Sequence, residues 1–137
     1  MKSIVCLRAE HDCSDRARWL QQRGVFHLHL RIPNERAPTD EQARQFLDFM
    51  RDSRHWPVLV HCKDGIGRAS TVAALARYSV DGWPMSRALR EAREYRPFRF
   101  RMFGDQRRWL NHWRDRFAAG GSAPDRNPTP LPAAGGG

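Results

Sequence analysis

The sequence predicts an α/β fold, a three-layer α/β/α sandwich with a mainly parallel central sheet. Three short segments have the residue pattern of strands, at residues 3–8, 25–32 and 58–60, and each is followed by a segment with helical periodicity. Strands and helices that alternate along a chain build parallel sheets covered by helices. At 137 residues, 40% of them hydrophobic, the chain has the size of one such domain.

The first two predicted strands differ in pattern. Residues 3–8 are mostly apolar, and a helix over residues 15–23 follows them and ends at Gly24. Apolar and polar residues alternate along residues 25–32, which is typical of a half-buried strand. His27 and His29 share its polar face and could ligate a metal, but no third ligand has a suitable spacing, so a solvent-facing strand surface is the favoured interpretation.

A capping box predicts where the next helix begins. Thr39 and Gln42 have the spacing of that motif, after a loop over residues 33–38. The apolar residues that follow recur at helical spacing and end before Pro57: Ala43, Phe46, Leu47 and Met50. Active sites of parallel sheets lie at the carboxyl ends of the strands, so the loops after Arg8 and Ile32 are expected beside the loop after the third strand.

The segment around Cys62 carries the strongest chemical signal. An apolar run at residues 58–60 predicts a buried central strand, and a helix is predicted over residues 69–80. The loop between them has glycines at its third and fifth positions after Cys62. Backbone N–H groups there and the positive end of the helix dipole form a site for a phosphate-like anion. Its predicted phosphate-binding residues are Lys63, Asp64, Gly65, Ile66, Gly67 and Arg68. The same dipoles and Arg68 favour the thiolate of Cys62, which is therefore a candidate nucleophile.

The run from His61 to Arg68, His-Cys-x2-Gly-x-Gly-Arg, resembles the signature of the cysteine-dependent protein tyrosine phosphatase superfamily, and its dual-specificity branch in particular. The resemblance implies a phosphotyrosine protein phosphatase-like catalytic domain, assigned to residues 1–118. It also implies a two-step reaction in which Cys62 attacks phosphorus, Arg68 binds the equatorial oxygens, and water hydrolyses the cysteinyl-phosphate. It implies neither a metal nor another cofactor.

Two positions depart from the family pattern. The usual general acid, an Asp in the loop after the second predicted strand, is replaced by Asn34. Glu35 is the expected substitute, and Asp64 in the phosphate loop is the alternative. The hydroxyl that usually follows the signature arginine is replaced by Ala69, so Ser70 or Thr71 would have to supply it. A catalytically weak phosphate-binding module is therefore the alternative to an active phosphatase.

The C-terminal part is predicted to be helical and then irregular. Ser86 can cap a helix that runs to about residue 95, and another helix is predicted over residues 105–118. Its aromatic residues are spaced for a core stripe, a more economical interpretation than stacking on nucleic acid: Trp109, Trp113 and Phe117. Gln106 begins a segment similar to a glutamine segment near the site of some lipid-directed relatives. Residues 119–137, with many Gly and Pro, are predicted to be a disordered tail.

Charge and cysteine content suggest partners and compartment. The net charge is +9, and the chain has 24 Lys and Arg residues, most of them Arg, which suits anionic substrates or reflects a GC-rich genome. Phosphorylated proteins, or phosphorylated lipids and inositols, are the expected substrates, whereas nucleic acid is disfavoured. The Arg-rich C-terminal third is a candidate for peripheral membrane contact. Three Cys and no signal-like segment favour a cytoplasmic location.

Overall fold

The computed structural model describes residues 2–62, 67–95, 102 and 104–120. In these residues each of three strands is followed by an α-helix, and two more α-helices come after the last of these pairs. The strands are β1 (Ser3–Arg8), β2 (Phe26–Ile32) and β3 (Val58–His61). The helices are α1 (Ser14–Gln21), α2 (Asp40–Arg51), α3 (Arg68–Ser79), α4 (Met85–Tyr95) and α5 (Gly104–Arg116), with a short 3-10 turn at Ser53–His55. The α/β fold predicted from the sequence is confirmed.

β1 is the central strand of the described sheet, which has the order β2-β1-β3 with all strands parallel. Val5 is opposite Leu28 on one side and Val60 on the other. The prediction that residues 58–60 form a buried central strand is therefore wrong. β3 lies at an edge of the described sheet, and Leu59 is 46% exposed. The fully buried run is Val5, Cys6 and Leu7 of β1, because that strand is paired on both sides.

Helices cover both faces of the sheet. On one face Val58 and Val60 line a cavity together with side chains of α2 and α3, among them Phe46 and Ala73. On the other face Ile4 lies beside Trp19 and Leu20 of α1. Successive side chains of a strand point to opposite faces. Together these contacts give the three layers of the predicted α/β/α sandwich.

The core lies between the sheet and helices α2, α3 and α5. Thr39 caps α2 with both hydrogen bonds of the predicted capping box, because Gln42 pairs with it reciprocally. The predicted aromatic stripe of α5 is confirmed as core, since Trp113 and Phe117 are 1% and 6% exposed. Their rings pack against each other with centroids 4.3 Å apart.

Two local predictions need correction. Ser86 does not cap α4, because the helix begins one residue earlier at Met85, and the backbone N–H groups of Arg87 and Ala88 donate to the carbonyl oxygen of Pro84. His27 and His29 do not form a solvent-facing surface. Both are only partly exposed, because α1 packs against β2.

Within the described part of the chain, no helix has both the length and the apolar character needed to span a membrane. The predicted tail lies almost wholly outside the described residues, which end at Gly120. The backbone N–H of Gly120 donates to the carbonyl oxygen of Tyr78, which places the end of the described chain beside α3.

Candidate active site

Cys62 lies where the sequence predicts it, directly after the carboxyl end of β3 and 9% exposed. α3 begins at Arg68, so the strand and the helix N-terminus flank a short loop. Residues 63–66 lie outside the described residues. The phosphate-binding roles of Lys63, Asp64, Gly65 and Ile66 therefore stay predictions, and so does the alternative acid at Asp64.

Arg68 is buried and its guanidinium is held on several sides. The side chain is 2% exposed. Its Nη1 and Nη2 atoms donate to the two carboxylate oxygens of Glu10, at 2.8 and 3.0 Å. Nη1 also donates to the carbonyl oxygen of Ile32 at 2.9 Å. This parallel pair of charge-assisted hydrogen bonds fixes the orientation of the guanidinium plane.

The same contacts bring the ends of all three strands together. Glu10 lies in the loop after β1, Ile32 is the last residue of β2, and Arg68 follows the loop that begins after β3. The expectation that the loops after Arg8 and Ile32 lie beside the Cys62 loop is thereby confirmed. Sequence reasoning located this loop but did not identify Glu10. The available signal was that a buried arginine requires a carboxylate partner.

The electrostatics of the site follow from this pairing. The hydrogen bonds that Arg68 donates to Glu10 are the largest cause of a raised Arg68 pKa, and the electrostatic influence of Cys62 raises it further. The hydrogen bond from Arg68 is the largest cause of a Glu10 pKa lowered to about 2. Glu10 is therefore ionised at neutral pH, where it can orient Arg68 but cannot donate a proton.

His61, the residue before Cys62, is uncharged at neutral pH. Its pKa is lowered, first by burial and then by the charges of Arg16 and Arg8. It pairs with Cys6 of β1 in the sheet register. A neutral imidazole here adds no charge next to the sulfur of Cys62.

The loop that carries Asn34 and Glu35 begins at the carbonyl group that Arg68 contacts. The backbone N–H of Arg36 donates to the carbonyl oxygen of Pro33 at 3.1 Å, which closes a turn. Glu35 has a φ of 67°, the left-handed conformation that type II turns require at their third position. Both Asn34 and Glu35 are exposed. The acid role of Glu35 stays a prediction.

The N-terminus of α5 holds this loop from the other side. Gln106 is 0% exposed, and its Nε2 donates to the carbonyl oxygen of Arg36 at 3.1 Å. The Arg36 guanidinium donates to Asp105 at 2.7 Å. The position of the segment that begins at Gln106 near the site agrees with the resemblance described above.

The hydroxyl groups after Arg68 have different surroundings. Ala69 and Ser70 are buried at 9% and 6% exposure. The Thr71 hydroxyl donates to the carbonyl oxygen of Gly67 at 2.7 Å, one helical turn back. Thr71 is thus engaged within α3, which leaves Ser70 as the better candidate for the hydroxyl that Ala69 lacks.

Behind β1, three side chains form a group with metal-ligating atoms. The ligand atoms of Cys6, Cys13 and His29 all lie within 4.8 Å of one another. Sequence reasoning did not group them, because they come from β1, from the residue before α1 and from β2.

The family model described as "DSP-PTPase phosphatase fused to NAD+ Kinase" matches residues 1–107. The curated dual specificity protein phosphatase TpbA of Pseudomonas aeruginosa is 38% identical over 77 residues, which are 56% of this chain and 35% of TpbA. The chain thus spans about a third of that relative's length.

Solved structures agree in fold. A crystal structure of Tk-PTP in the active form is 29% identical with a TM-score of 0.68, over 85% of this chain and 80% of that one. A crystal structure of PTPMT1 in complex with PI(5)P has a TM-score of 0.69 at 18% identity, over 84% and 77% of the two chains. The chain therefore belongs to the family of DSP-PTPase phosphatase domains described as fused to NAD+ kinase, within the cysteine-dependent protein tyrosine phosphatase superfamily that its sequence resembles.

Proposed function

We propose that the chain is a phosphatase that hydrolyses phosphomonoesters through a cysteinyl-phosphate intermediate. The observation that supports this most is that Cys62, directly after β3, and a buried, carboxylate-oriented Arg68 flank the same short loop. Both lie at the carboxyl ends of parallel strands, next to a helix N-terminus, where anions bind well.

In the first step the Cys62 thiolate attacks phosphorus, and the bond between phosphorus and the ester oxygen breaks. The guanidinium of Arg68 and the loop amides bind the equatorial oxygens. In the second step water attacks phosphorus, the sulfur–phosphorus bond breaks, and inorganic phosphate leaves. Glu10 is a positioning residue, because it holds the guanidinium and does not contact the substrate in this scheme.

Glu35 is proposed as the general acid that protonates the leaving oxygen. It is exposed, it lies in the turn directly after Ile32, whose carbonyl oxygen accepts from Arg68, and its left-handed conformation sets it apart from its neighbours. A strained residue in a loop beside a site is often functional. Asn34, at the position of the usual acid, cannot donate a proton at neutral pH.

The proposed substrate is either a protein that carries phosphotyrosine or phosphoserine, or a phosphoinositide. Exposed arginines on α4 and α5, namely Arg87, Arg90 and Arg107, would favour a polyanionic substrate. We would compare kcat/KM for a phosphotyrosine peptide and a phosphoinositide at increasing salt. A preference for the phosphoinositide that weakens with salt is expected, and equal, salt-independent activity would exclude this role of the arginines.

We also propose that the protein is located in the cytoplasm.

Hydrolysis of p-nitrophenyl phosphate by the purified chain tests the activity. Cys62→Ser should abolish turnover, and Arg68→Lys should reduce it severely, because a point charge cannot reproduce the planar fork. Cys13→Ser, measured in reducing buffer, is the matched control, since Cys13 is also a buried cysteine and should leave turnover unchanged. Turnover at the wild-type rate in Cys62→Ser would exclude the mechanism. Phosphate binding without turnover in the wild-type chain would favour the weak binding module instead.

A further inference from the structure

Two free cysteines are in contact at the base of the loop that carries Glu10. Cys6 in β1 and Cys13 before α1 are 0% and 2% exposed, and their Sγ atoms are 3.0 Å apart. Non-bonded heavy atoms normally stay roughly 3.5–4.0 Å apart. A disulfide bond is about 2.05 Å long, so the two sulfurs need to approach by only about 1 Å to bond.

The hydrogen bonds around His29 argue against a metal at this position. Its Nε2 lies 2.7 Å from the carbonyl oxygen of Arg8 and 3.8 Å from the sulfur of Cys13. A carbonyl oxygen only accepts, so Nε2 carries the proton and has no lone pair for a metal. Moreover, two thiolates bound to tetrahedral zinc would be about 3.8 Å apart, farther than these sulfurs.

We propose that Cys6 and Cys13 are a site of oxidative modification, where an intramolecular disulfide forms and fixes the loop that holds Glu10 against Arg68. The bond would join the end of the buried strand to the start of α1. Residues 7–12 would then form a closed loop with Glu10 inside it. Formation of the disulfide does not depend on the proposed function, whereas its effect on phosphate binding rests on it.

The oxidant is a small disulfide such as oxidised glutathione. The Cys13 thiolate attacks one sulfur of the oxidant, forms a mixed disulfide and releases one molecule of reduced glutathione. The Cys6 thiolate then attacks the Cys13 sulfur and releases the second molecule. The two thiols lose two protons and two electrons, and the electrons reduce the oxidant.

Access to the pair requires the loop to open. Burial is the largest cause of a Cys13 pKa raised to about 11, so the closed form is a slow nucleophile. The loop residues Glu10, His11 and Asp12 are exposed, and the Cys13 side chain makes no capping hydrogen bond to α1. Opening this short segment would expose Cys13 while the sheet stays intact. In a reducing compartment the pair remains as thiols, which is the form seen here.

Peptide mapping of the Cys62→Ser chain tests the bond itself. The protein has three Cys, so this variant keeps only the proposed pair. After incubation with oxidised glutathione and digestion with trypsin without reduction, peptides 3–8 and 9–16 should be found joined. Free thiols, or separate glutathione adducts on the two peptides, would overturn the proposal. In the wild-type chain, a disulfide between the peptide that contains Cys62 and peptide 3–8 or 9–16 would also overturn the proposal.

Stability and phosphate affinity test what the bond does. Oxidation of Cys62→Ser should raise Tm by roughly 5 °C or more, and a Cys13→Ser, Cys62→Ser double variant should show no shift. Oxidation should also tighten inorganic phosphate binding about three-fold through preorganisation of Arg68. An unchanged Tm would contradict the fixing of the loop. If phosphate fails to bind in either state while the joined peptides appear, the proposed function fails and the modification site stands.

One tight zinc ion per chain in equilibrium dialysis, lost in Cys6→Ser, would instead assign the group to a metal and overturn the disulfide.

Discussion

The Arg68 guanidinium is buried, yet it faces a carboxylate whose side chain is 40% exposed. Glu10 lies in a loop at the rim of the site, and its two carboxylate oxygens accept hydrogen bonds from both terminal nitrogens of the arginine. A lysine could not be held this way, because its ammonium is a point charge without a plane. At the residue scale, the carboxylate of Glu10 therefore sets the direction of the group that would bind phosphate.

Glu10→Gln keeps the shape of the side chain and removes its charge. Because a charge-assisted pair of hydrogen bonds is lost, we expect kcat/KM for p-nitrophenyl phosphate, and phosphate affinity, to fall by roughly 10- to 100-fold. Asp12→Asn is the control, since Asp12 lies in the same loop and accepts hydrogen bonds from Ser14 rather than from Arg68. Equal losses in the two variants would show that loop stability, and not the Glu10 charge, matters.

The pH dependence of stability gives Glu10 a second readout. Its pKa falls from an ordinary 4.5 to about 2 in the folded state. A lowered folded-state pKa contributes stability that is fully present above 4.5 and is lost as the pH falls through about 2. The Tm difference between the wild type and Glu10→Gln should therefore be largest above pH 4.5 and vanish near pH 2. A Tm difference that does not change with pH would show that the pKa of Glu10 is not lowered by folding.

Glu35→Gln tests the proposed acid. An acid matters most for a poor leaving group, and proton donation is typically worth 10²–10⁴-fold. We expect phosphoserine or inositol-phosphate hydrolysis to slow far more than p-nitrophenyl phosphate hydrolysis, with loss of the basic limb of the pH profile. Glu41→Gln, an exposed acid in the first turn of α2, is the control. If Glu35→Gln is silent and Asp64→Asn shows that pattern, the acid lies in the phosphate loop instead.

At the scale of elements, features set by residues close together in the sequence were predicted correctly. Contacts between distant segments were not predicted. The capping box and apolar stripe of α2 are local, and both are present. The pairing of Glu10 with Arg68 joins residues 58 positions apart, so no spacing rule reveals it. The cluster of His29 with two cysteines likewise depends on how α1 packs on the sheet. Such contacts depend on topology as well as on sequence pattern.

Gln106 links α5 to the loop that carries Glu35, so Gln106→Ala should loosen that loop. The carbonyl oxygen of Arg36 loses its donor, and a hydrogen bond of this kind typically contributes about 0.5–1.5 kcal/mol to stability. We expect kcat for a phosphoserine substrate to fall several-fold while phosphate affinity at Arg68 is kept. Gln45→Ala, at an exposed position on α2, should change neither. A loss of phosphate affinity equal to the loss in kcat would contradict a role through the loop.

At the scale of the whole molecule, the central position predicted for residues 58–60 was the main error of sequence reasoning. Residues 58–60 and residues 3–8 are both apolar, and burial on one or both sides is decided by pairing rather than by composition. β1 pairs with both neighbours and contains the fully buried residues, whereas β3 pairs only with β1 in the described sheet. The site is unaffected by this error, because Cys62 follows β3 in either arrangement.

Matched substitutions to threonine measure this strand order. Leu59→Thr, at a site 46% exposed, should change the free energy of unfolding by about 0.5 kcal/mol or less. Val5→Thr, at a site 0% exposed, should lower the free energy of unfolding by about 1–3 kcal/mol, because it buries a hydroxyl among apolar side chains. Urea unfolding of both variants gives the comparison. Equal costs would indicate that β3 is as buried as β1.

Cys62 should become phosphorylated during turnover if it is the nucleophile. Acid quenching during hydrolysis of p-nitrophenyl phosphate, followed by digestion and mass spectrometry, measures this most directly. We predict one added phosphoryl group on the tryptic peptide that spans residues 55–63, absent from Cys62→Ser and present in Cys13→Ser. Hydrolysis at full rate with no phosphoryl group on that peptide at any quench time would contradict it.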